Sequence, residues 1–275
     1  MSQLSIFDVF AEPTDTHEPD RATTVEPVKA ATLPAPVGRA VTTENVRREF
    51  VREFRHTAPY LRRWDVFSDF IALAASDLDM ARIHTAEANA DAARIYARYK
   101  PDDVEKLKNL FSLLVDALAA QFQDFLGSVF MELELGSGEM GQYFTPYPVS
   151  QLLTGVLTGD MHAQLKTCPY ITLSEPTSGA GGMVIAYADA MRDAGLNPSE
   201  QLLVTTTDID PVAADMTFIQ LSLLGIPAIV NTGNTLSLQV SRTRCTPVYY
   251  IKDFPKRVRE HERIQAMLNF IRNMG

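Results

Sequence analysis

Residues 170–182 read Tyr-Ile-Thr-Leu-Ser-Glu-Pro-Thr-Ser-Gly-Ala-Gly-Gly, and this stretch decides the fold. Tyr170 to Ser174 has the β-branched and aromatic composition of a strand, and the glycines after it predict a tight turn. The pattern that follows predicts a helix from about Met183 to Ala194. A strand, a glycine-rich turn and a helix in this order form the first unit of a parallel α/β sheet.

The same alternation continues downstream. Leu202 to Thr207 is predicted to be a second strand and runs into Asp208-Ile209-Asp210. A helix from Pro211 to Leu224 and a third strand from Ala228 to Asn231 follow. The sequence therefore predicts a parallel sheet with crossover helices.

This order of elements also predicts a ligand. Glycines between a strand and its helix let the backbone approach a bound molecule closely, and the first N–H groups of the helix are free to bind it. Asp208, after the second strand, can accept hydrogen bonds from both hydroxyls of a ribose. A Gly-x-Gly-Gly turn also occurs for packing alone, but together with Asp208 it favours a nucleotide-like ligand.

The region before the sheet is divided into two parts. Residues 11–42 are rich in Pro, Thr, Ala and Glu without a hydrophobic period, which is typical of a disordered tether. Helical patterns fill Thr43 to Leu135, and one apolar stripe predicts a single long helix that begins near Pro101: Leu107, Leu110, Phe111, Leu114, Leu118, Phe122, Phe125 and Val129. After a glycine-containing loop, a short amphipathic helix is predicted from Val149, Leu152, Leu153, Val156 and Leu157.

Composition limits the classes of function. The chain has 275 residues and a net charge of −9, which disfavours wrapping of nucleic acid by bulk electrostatics. Two arginine-rich clusters, at 47–63 and 256–263, are interleaved with acids, so solvated helix faces are favoured over phosphate-binding stripes. No apolar run approaches the roughly 20 residues that span a bilayer, and a cytoplasmic protein without membrane association is expected. Cys168, Cys245 and the five histidines lack metal-ligand spacing, so no metal site is expected.

Two motifs in this order resemble a known family. Gly141-Gln142-Tyr143-Phe144-Thr145-Pro146 precedes Glu175-Pro176-Thr177-Ser178-Gly179-Ala180-Gly181-Gly182 by some thirty residues. The pair is similar to that of adenine-N6 DNA methyltransferases, in particular the modification subunits of type I restriction systems. The similarity extends from about Phe122 to Asn234. It implies an α/β, Rossmann-like core of the S-adenosylmethionine-dependent methyltransferases, with S-adenosylmethionine as cofactor.

The resemblance also implies roles for individual residues. Those that match the family's cofactor site are Gln142, Tyr143, Phe144 and Thr145 at the methionine end, Glu175, Gly179 and Gly181 in the turn, Asp208 at the ribose, and Asn234 near the adenine ring.

The catalytic motif of the family, Asn-Pro-Pro-Tyr or Asp-Pro-Pro-Tyr, has no exact counterpart in this chain. The nearest match is Thr246-Pro247-Val248-Tyr249, so Thr246, Pro247 and Tyr249 are the candidate catalytic residues. A hydroxyl replaces the carboxamide, and Val248 lacks the rigidity of the second proline. An ordinary turn into a strand from Val248 to Ile251 is therefore favoured over a working catalytic loop.

We expect three segments: a tail at 1–42, a helical region at 43–135 and a Rossmann-like methyltransferase core at 136–275. After Asn234, 41 residues remain, enough for the strand at Val248 and a helix from Lys256 to Asn273. An incomplete sheet is therefore expected, without room for a target-recognition domain.

Two functions remain open. The chain is either a site-specific adenine DNA methyltransferase or a catalytically inactive module that acts as a regulator, antirestriction decoy or assembly subunit. The expected partner is DNA, bound directly or through a specificity subunit. A second expected partner is the replication sliding clamp, because Gln3-Leu4-Ser5-Ile6-Phe7 resembles its docking peptide; packing of this segment on its own domain is the alternative.

Overall fold

The computed structural model describes residues 43–82, 85–136, 144–157, 159 and 161–274. The predicted clamp-binding peptide, Gln3 to Phe7, lies outside these residues. Within them, no helix has both the length and the apolar character needed to cross a membrane.

Five helices come first: α1 (Thr43–His56), α2 (Arg63–Leu78), α3 (Ala86–Tyr96), α4 (Pro101–Ala120) and α5 (Phe125–Glu132). Their shared interior is aromatic, with edge-to-face contacts among Phe50, Phe54, Phe67, Phe70, Phe125 and Phe130. Such contacts add about 0.5–1.5 kcal/mol to the burial of the rings themselves. The helical region predicted before the sheet is thus present.

The prediction of a single long helix after Pro101 is wrong. Helix α4 ends at Ala120, and a second helix, α5, begins at Phe125. Gln121 is extended, and Asp124 begins α5 by accepting a hydrogen bond from Gly127 N at 2.9 Å. Both helices bury residues of the predicted stripe, among them Leu107 and Val129. A hydrophobic period therefore does not distinguish one helix from two that pack into the same core.

Two helices, α6 (Tyr147–Leu157) and α7 (Met161–Thr167), lead into the sheet. Helix α6 matches the predicted amphipathic helix, but Val149, Leu152 and Leu153 are exposed. Its small polar side chains Ser150 and Thr154 are buried instead, where α6 packs against the helix that follows β1.

The predicted alternation of strands and helices is confirmed. The elements in order are β1 (Ile171–Glu175), α8 (Gly182–Asp193), α9 (Pro198–Gln201), β2 (Leu202–Asp208), α10 (Pro211–Leu223) and β3 (Ala228–Asn234). The three strands are parallel, and their carboxyl ends meet at one edge of the sheet. The hydrophobic core is continuous from Val46 in α1 to Val230 in β3.

The end of the chain differs from the prediction. An additional strand, β4 (Gln239–Cys245), pairs antiparallel with β3, which gives the sheet order β1-β2-β3-β4. Sequence patterning missed β4 because its partly or fully buried positions include Arg242 and Arg244, which form ion pairs with Asp215. The predicted strand at Val248 is wrong: Pro247 opens the short helix α11 (Pro247–Ile251), and α12 (Phe254–Met274) follows. The described chain is a mixed α/β protein, as predicted.

Candidate functional site at the carboxyl edge of the sheet

The glycine-rich turn after β1 has a backbone that requires glycine at two positions. Gly179 has φ of +55° and Gly181 has φ of +93°, both in the left-handed region. A β-carbon at Gly179 would lie 2.9 Å from the Phe144 ring, and one at Gly181 would lie 3.2 Å from Thr217 Oγ1. Phe144 and Thr217 therefore pack directly against the turn, and α8 begins immediately after it.

Asp208, at the end of β2, holds this turn in place. Its carboxylate accepts hydrogen bonds from Gly179 N at 2.8 Å and from Asp210 N at 2.9 Å. Burial raises the pKa of Asp208, and these backbone N–H groups partly offset that rise. The next residue, Ile209, is 69% exposed although it is apolar, so it offers an uncovered hydrophobic surface beside the carboxylate.

The turn between β3 and β4 lies against the glycine-rich turn. Thr235 Oγ1 donates a hydrogen bond to Pro176 O at 2.6 Å across 59 residues of sequence. Asn234 Oδ1 accepts from Leu236 N and Ser237 N, so this side chain shapes the turn. Glu175 similarly accepts from Thr177 N at 3.1 Å. Three of the predicted residues, Glu175, Asp208 and Asn234, therefore lie along one edge.

The described residues of the Gly141–Pro146 motif, from Phe144 onward, lie against the glycine-rich turn. Phe144 packs between the Phe130 ring, at a centroid distance of 4.8 Å, and the backbone of Gly179. Phe144 and Thr145 line a cavity of about 90 Å³ against the glycine-rich turn and a larger one of about 600 Å³ beside α5 and α6. The other two predicted residues, Gln142 and Tyr143, lie outside the described residues.

Asp124 lines both cavities, and sequence reasoning missed it. The residue is buried, and its Oδ1 accepts a hydrogen bond from Gln220 Nε2 at 2.8 Å. Gln220 Nε2 also donates to Ala180 O in the glycine-rich turn, and Gln220 Oε1 accepts from Leu126 N. Burial raises the pKa of Asp124 above its usual range. One signal was available, since an Asp before an apolar helix start is a common N-cap.

The structure does not bring the candidate catalytic residues to this edge. Thr246 is buried at the amino-terminal end of β3, where its Oγ1 donates to Ile226 O and accepts from Ala228 N. Pro247 and Tyr249 belong to α11, and the Tyr249 ring stacks on Phe254. Because β4 is antiparallel to β3, the length of a strand, roughly 20 Å, separates Thr246 from the edge that holds Asn234.

Helix α1 contains most of the first arginine-rich cluster. In α1, Arg47, Arg48 and Arg52 pair with acids three or four residues away, as expected of a solvated helix face. Among the described residues, no group of three or more His, Cys, Asp or Glu side chains could hold a metal ion.

Comparison with known proteins identifies the segment that contains this edge. Residues 125–248 match the N-6 DNA methylase family. The resemblance to adenine-N6 DNA methyltransferases is therefore confirmed. The matched segment begins at α5, just after Asp124, and runs through the glycine-rich turn to the start of α11. No curated protein matches the chain.

Two solved structures are similar to the chain at low identity and low TM-score. One, from Listeria monocytogenes, is assigned as a class I S-adenosylmethionine-dependent methyltransferase; identity is 11%, the match covers 67% of this chain and 52% of that chain, and the TM-score is 0.35. The other is the methyltransferase subunit of a type I restriction-modification system from Streptococcus thermophilus, with 13% identity, coverage of 71% and 59%, and a TM-score of 0.37. The chain thus spans between about half and three-fifths of the length of these proteins.

Proposed function

We propose that the chain binds S-adenosylmethionine at the carboxyl edge of its sheet, as a protein of the adenine-N6 DNA methyltransferase type. One observation carries the proposal: Gly179 is contacted by the Phe144 ring and by the Asp208 carboxylate. The two motifs that resemble the family therefore meet at a single glycine, next to cavities that extend over α5 and α6. The match with the N-6 DNA methylase family, over residues 125–248, includes Phe144, Gly179 and Asp208.

The residues present fit the cofactor. Glycine at 179 and 181 lets Phe144 and Thr217 pack directly on the backbone of the turn, beside the cavity that Phe144 and Thr145 line. Asp208 is placed to accept hydrogen bonds from the ribose hydroxyls, and exposed Ile209 offers an apolar surface to the adenine ring. Asn234 lies at the same edge for the adenine end, while Phe144 and Thr145 face the methionine end. Glu175 shapes the turn. Gln142 and Tyr143 are proposed to contact the methionine end of the cofactor.

Asp124 adds a charge to this set. Its carboxylate lies in the wall shared by both cavities, where a buried anion is stabilised by a cation. The α-ammonium group of S-adenosylmethionine supplies such a cation. We assign Asp124 as its acceptor, held in orientation by Gln220 and Gly127 N.

The cofactor would supply an electrophilic methyl group, and DNA adenine would be the acceptor. The position of Thr246 favours a second function, because this residue and Tyr249 are remote from the edge that holds Asp208. In that case the chain is a catalytically inactive, cofactor-binding module that acts as a regulator, antirestriction decoy or assembly subunit. The proposed partner is DNA, bound directly or through a specificity subunit, and the proposed compartment is the cytoplasm.

Two measurements on the full chain separate these functions. Binding of S-adenosylmethionine tests the proposal itself, and its absence would contradict both functions. Transfer of a labelled methyl group to DNA then distinguishes them. Incorporation that is lost in Tyr249→Ala indicates an enzyme that uses this loop, whereas cofactor binding without incorporation indicates the module.

A further inference from the structure

Helix α12, near the end of the chain, carries an apolar face that the described part of the chain leaves exposed. Its first part is anchored: Phe254 packs with Tyr170 and Leu203, and the His261 ring lies 5.8 Å from that of Tyr170. From Ile264 onward the described apolar side chains are between 48% and 65% exposed: Ile264, Met267, Leu268, Phe270 and Ile271. Spacings of three and four residues place most of them on one side of the helix. We call residues 264–271 the arm.

A second exposed apolar surface lies on α6. Val149, Leu152 and Leu153 are between 43% and 73% exposed, while the opposite side of α6 packs on α8. We call these three residues the α6 patch. Helix α8, on which α6 packs, contains two acids and one arginine, a net charge of −1.

Charge distinguishes the possible occupants of these surfaces. Helix α12 contains five of the 25 basic and two of the 34 acidic residues, so its net charge is +3 and that of the remaining chain is −12. Two α12 helices side by side would bring like charges together. An arm placed on the body of another copy instead brings Arg263 and Arg272 toward a part of the chain with the opposite net charge.

We propose that the chain forms a two-fold dimer in which the arm of each copy lies on the α6 patch of the other. A two-fold interface makes the contact twice, so each copy buries eight apolar side chains that are otherwise exposed. This burial contributes toward the about 800 Å² per partner that stable interfaces commonly need. Neither surface includes the glycine-rich turn, so the dimer can be measured without the cofactor.

The oligomeric state of the full chain tests the proposal. Sedimentation over a concentration series is expected to show a monomer–dimer equilibrium. Leu152→Glu in the patch and Ile271→Glu in the arm should each raise the dimer dissociation constant by about tenfold or more, since each places a charge in an apolar contact. Val240→Glu is the matched control, because Val240 is 52% exposed on β4, at the far end of the sheet from β1.

Cross-linking identifies which surfaces meet. Leu152→Cys and Ile271→Cys proteins, mixed and oxidised, should form a disulfide-linked dimer that neither forms alone above the wild-type background from Cys168 and Cys245. A monomer at every concentration would overturn the proposal. A cross-link of Ile271→Cys with itself would overturn it too, because it indicates α12 paired with α12, and so would a dimer unaffected by Leu152→Glu.

Discussion

Asp124 and Gln220 lie 96 residues apart in sequence and share a buried hydrogen bond of 2.8 Å. Through this bond the start of α5, the glycine-rich turn and α10 meet at one point, since Gln220 also contacts Ala180 O and Leu126 N. The wall shared by the two cavities is therefore held by a polar contact inside an otherwise apolar core. Removal of one partner would leave the other polar group unsatisfied in the core, which would lower the free energy of unfolding.

Gln220→Leu tests this contact. The substitution leaves Asp124 with fewer donors in a buried position, so we expect the free energy of unfolding to fall by about 1–3 kcal/mol. Urea denaturation measures the change. Gln239→Leu, at an exposed position of β4, is the control and should leave the midpoint unchanged. An unaltered midpoint in Gln220→Leu would show that the bond does not support the core.

The pH dependence of stability tests the burial of Asp124. Its folded-state pKa is raised by burial, so the folded protein holds this proton more tightly than the unfolded chain does. Its contribution to stability is therefore greatest at acid pH and declines as pH rises from the unfolded pKa through the folded one. Asp124→Asn retains an acceptor for Gly127 N and removes the titration. Denaturation across a pH series should give a flatter decline in the variant, and identical slopes would contradict the assignment.

A comparison of Gly179→Ala with Gly225→Ala separates the effect of backbone strain from the effect of the contact with the Phe144 ring. A β-carbon is strained at φ of +55° and would lie 2.9 Å from the Phe144 ring. Gly225 has φ of +68°, and a β-carbon added there would have nothing within 4 Å, so Gly225→Ala shares only the backbone strain. Backbone strain should cost each variant about 1 kcal/mol of stability, and Gly179→Ala should lose more because of the contact with Phe144. Only Gly179→Ala should also lose cofactor affinity, by about tenfold or more; equal affinities would contradict the site.

Thr246→Val tests whether Thr246 is structural. The hydroxyl makes two buried hydrogen bonds, with Ile226 O and Ala228 N, so its removal should cost about 1–3 kcal/mol. Cofactor affinity should not change, because the residue is at the other end of β3. Thr243→Val, at an exposed position of β4, serves as the control for stability. A selective loss of cofactor affinity in Thr246→Val would restore this residue to the site.

The sequence predicted the parallel unit well because its signals are local. Glycines at 179 and 181 can be recognised without the rest of the chain, and so can the acid that ends β2. The break before Asp124 could not be predicted, because both helices contribute to one core and keep a common hydrophobic pattern. Strand β4 was missed since Arg242 and Arg244 occupy positions where apolar residues are expected.

The position of Thr246 could not be predicted either. A motif match gives only the order along the chain, whereas strand direction decides at which edge of the sheet a residue lies. The antiparallel β4 reverses that direction. Gln220 was missed for a related reason, because a polar residue within an apolar helix gives no indication of a partner 96 residues away.

Calorimetric titration of S-adenosylmethionine into the full chain tests the central claim most directly. We expect binding by the wild type, at least about tenfold weaker binding by Asp208→Ala, and unchanged binding by Asp116→Ala, an exposed acid on α4. Equal affinities of the wild type and Asp208→Ala, or no heat from the wild type, would contradict it.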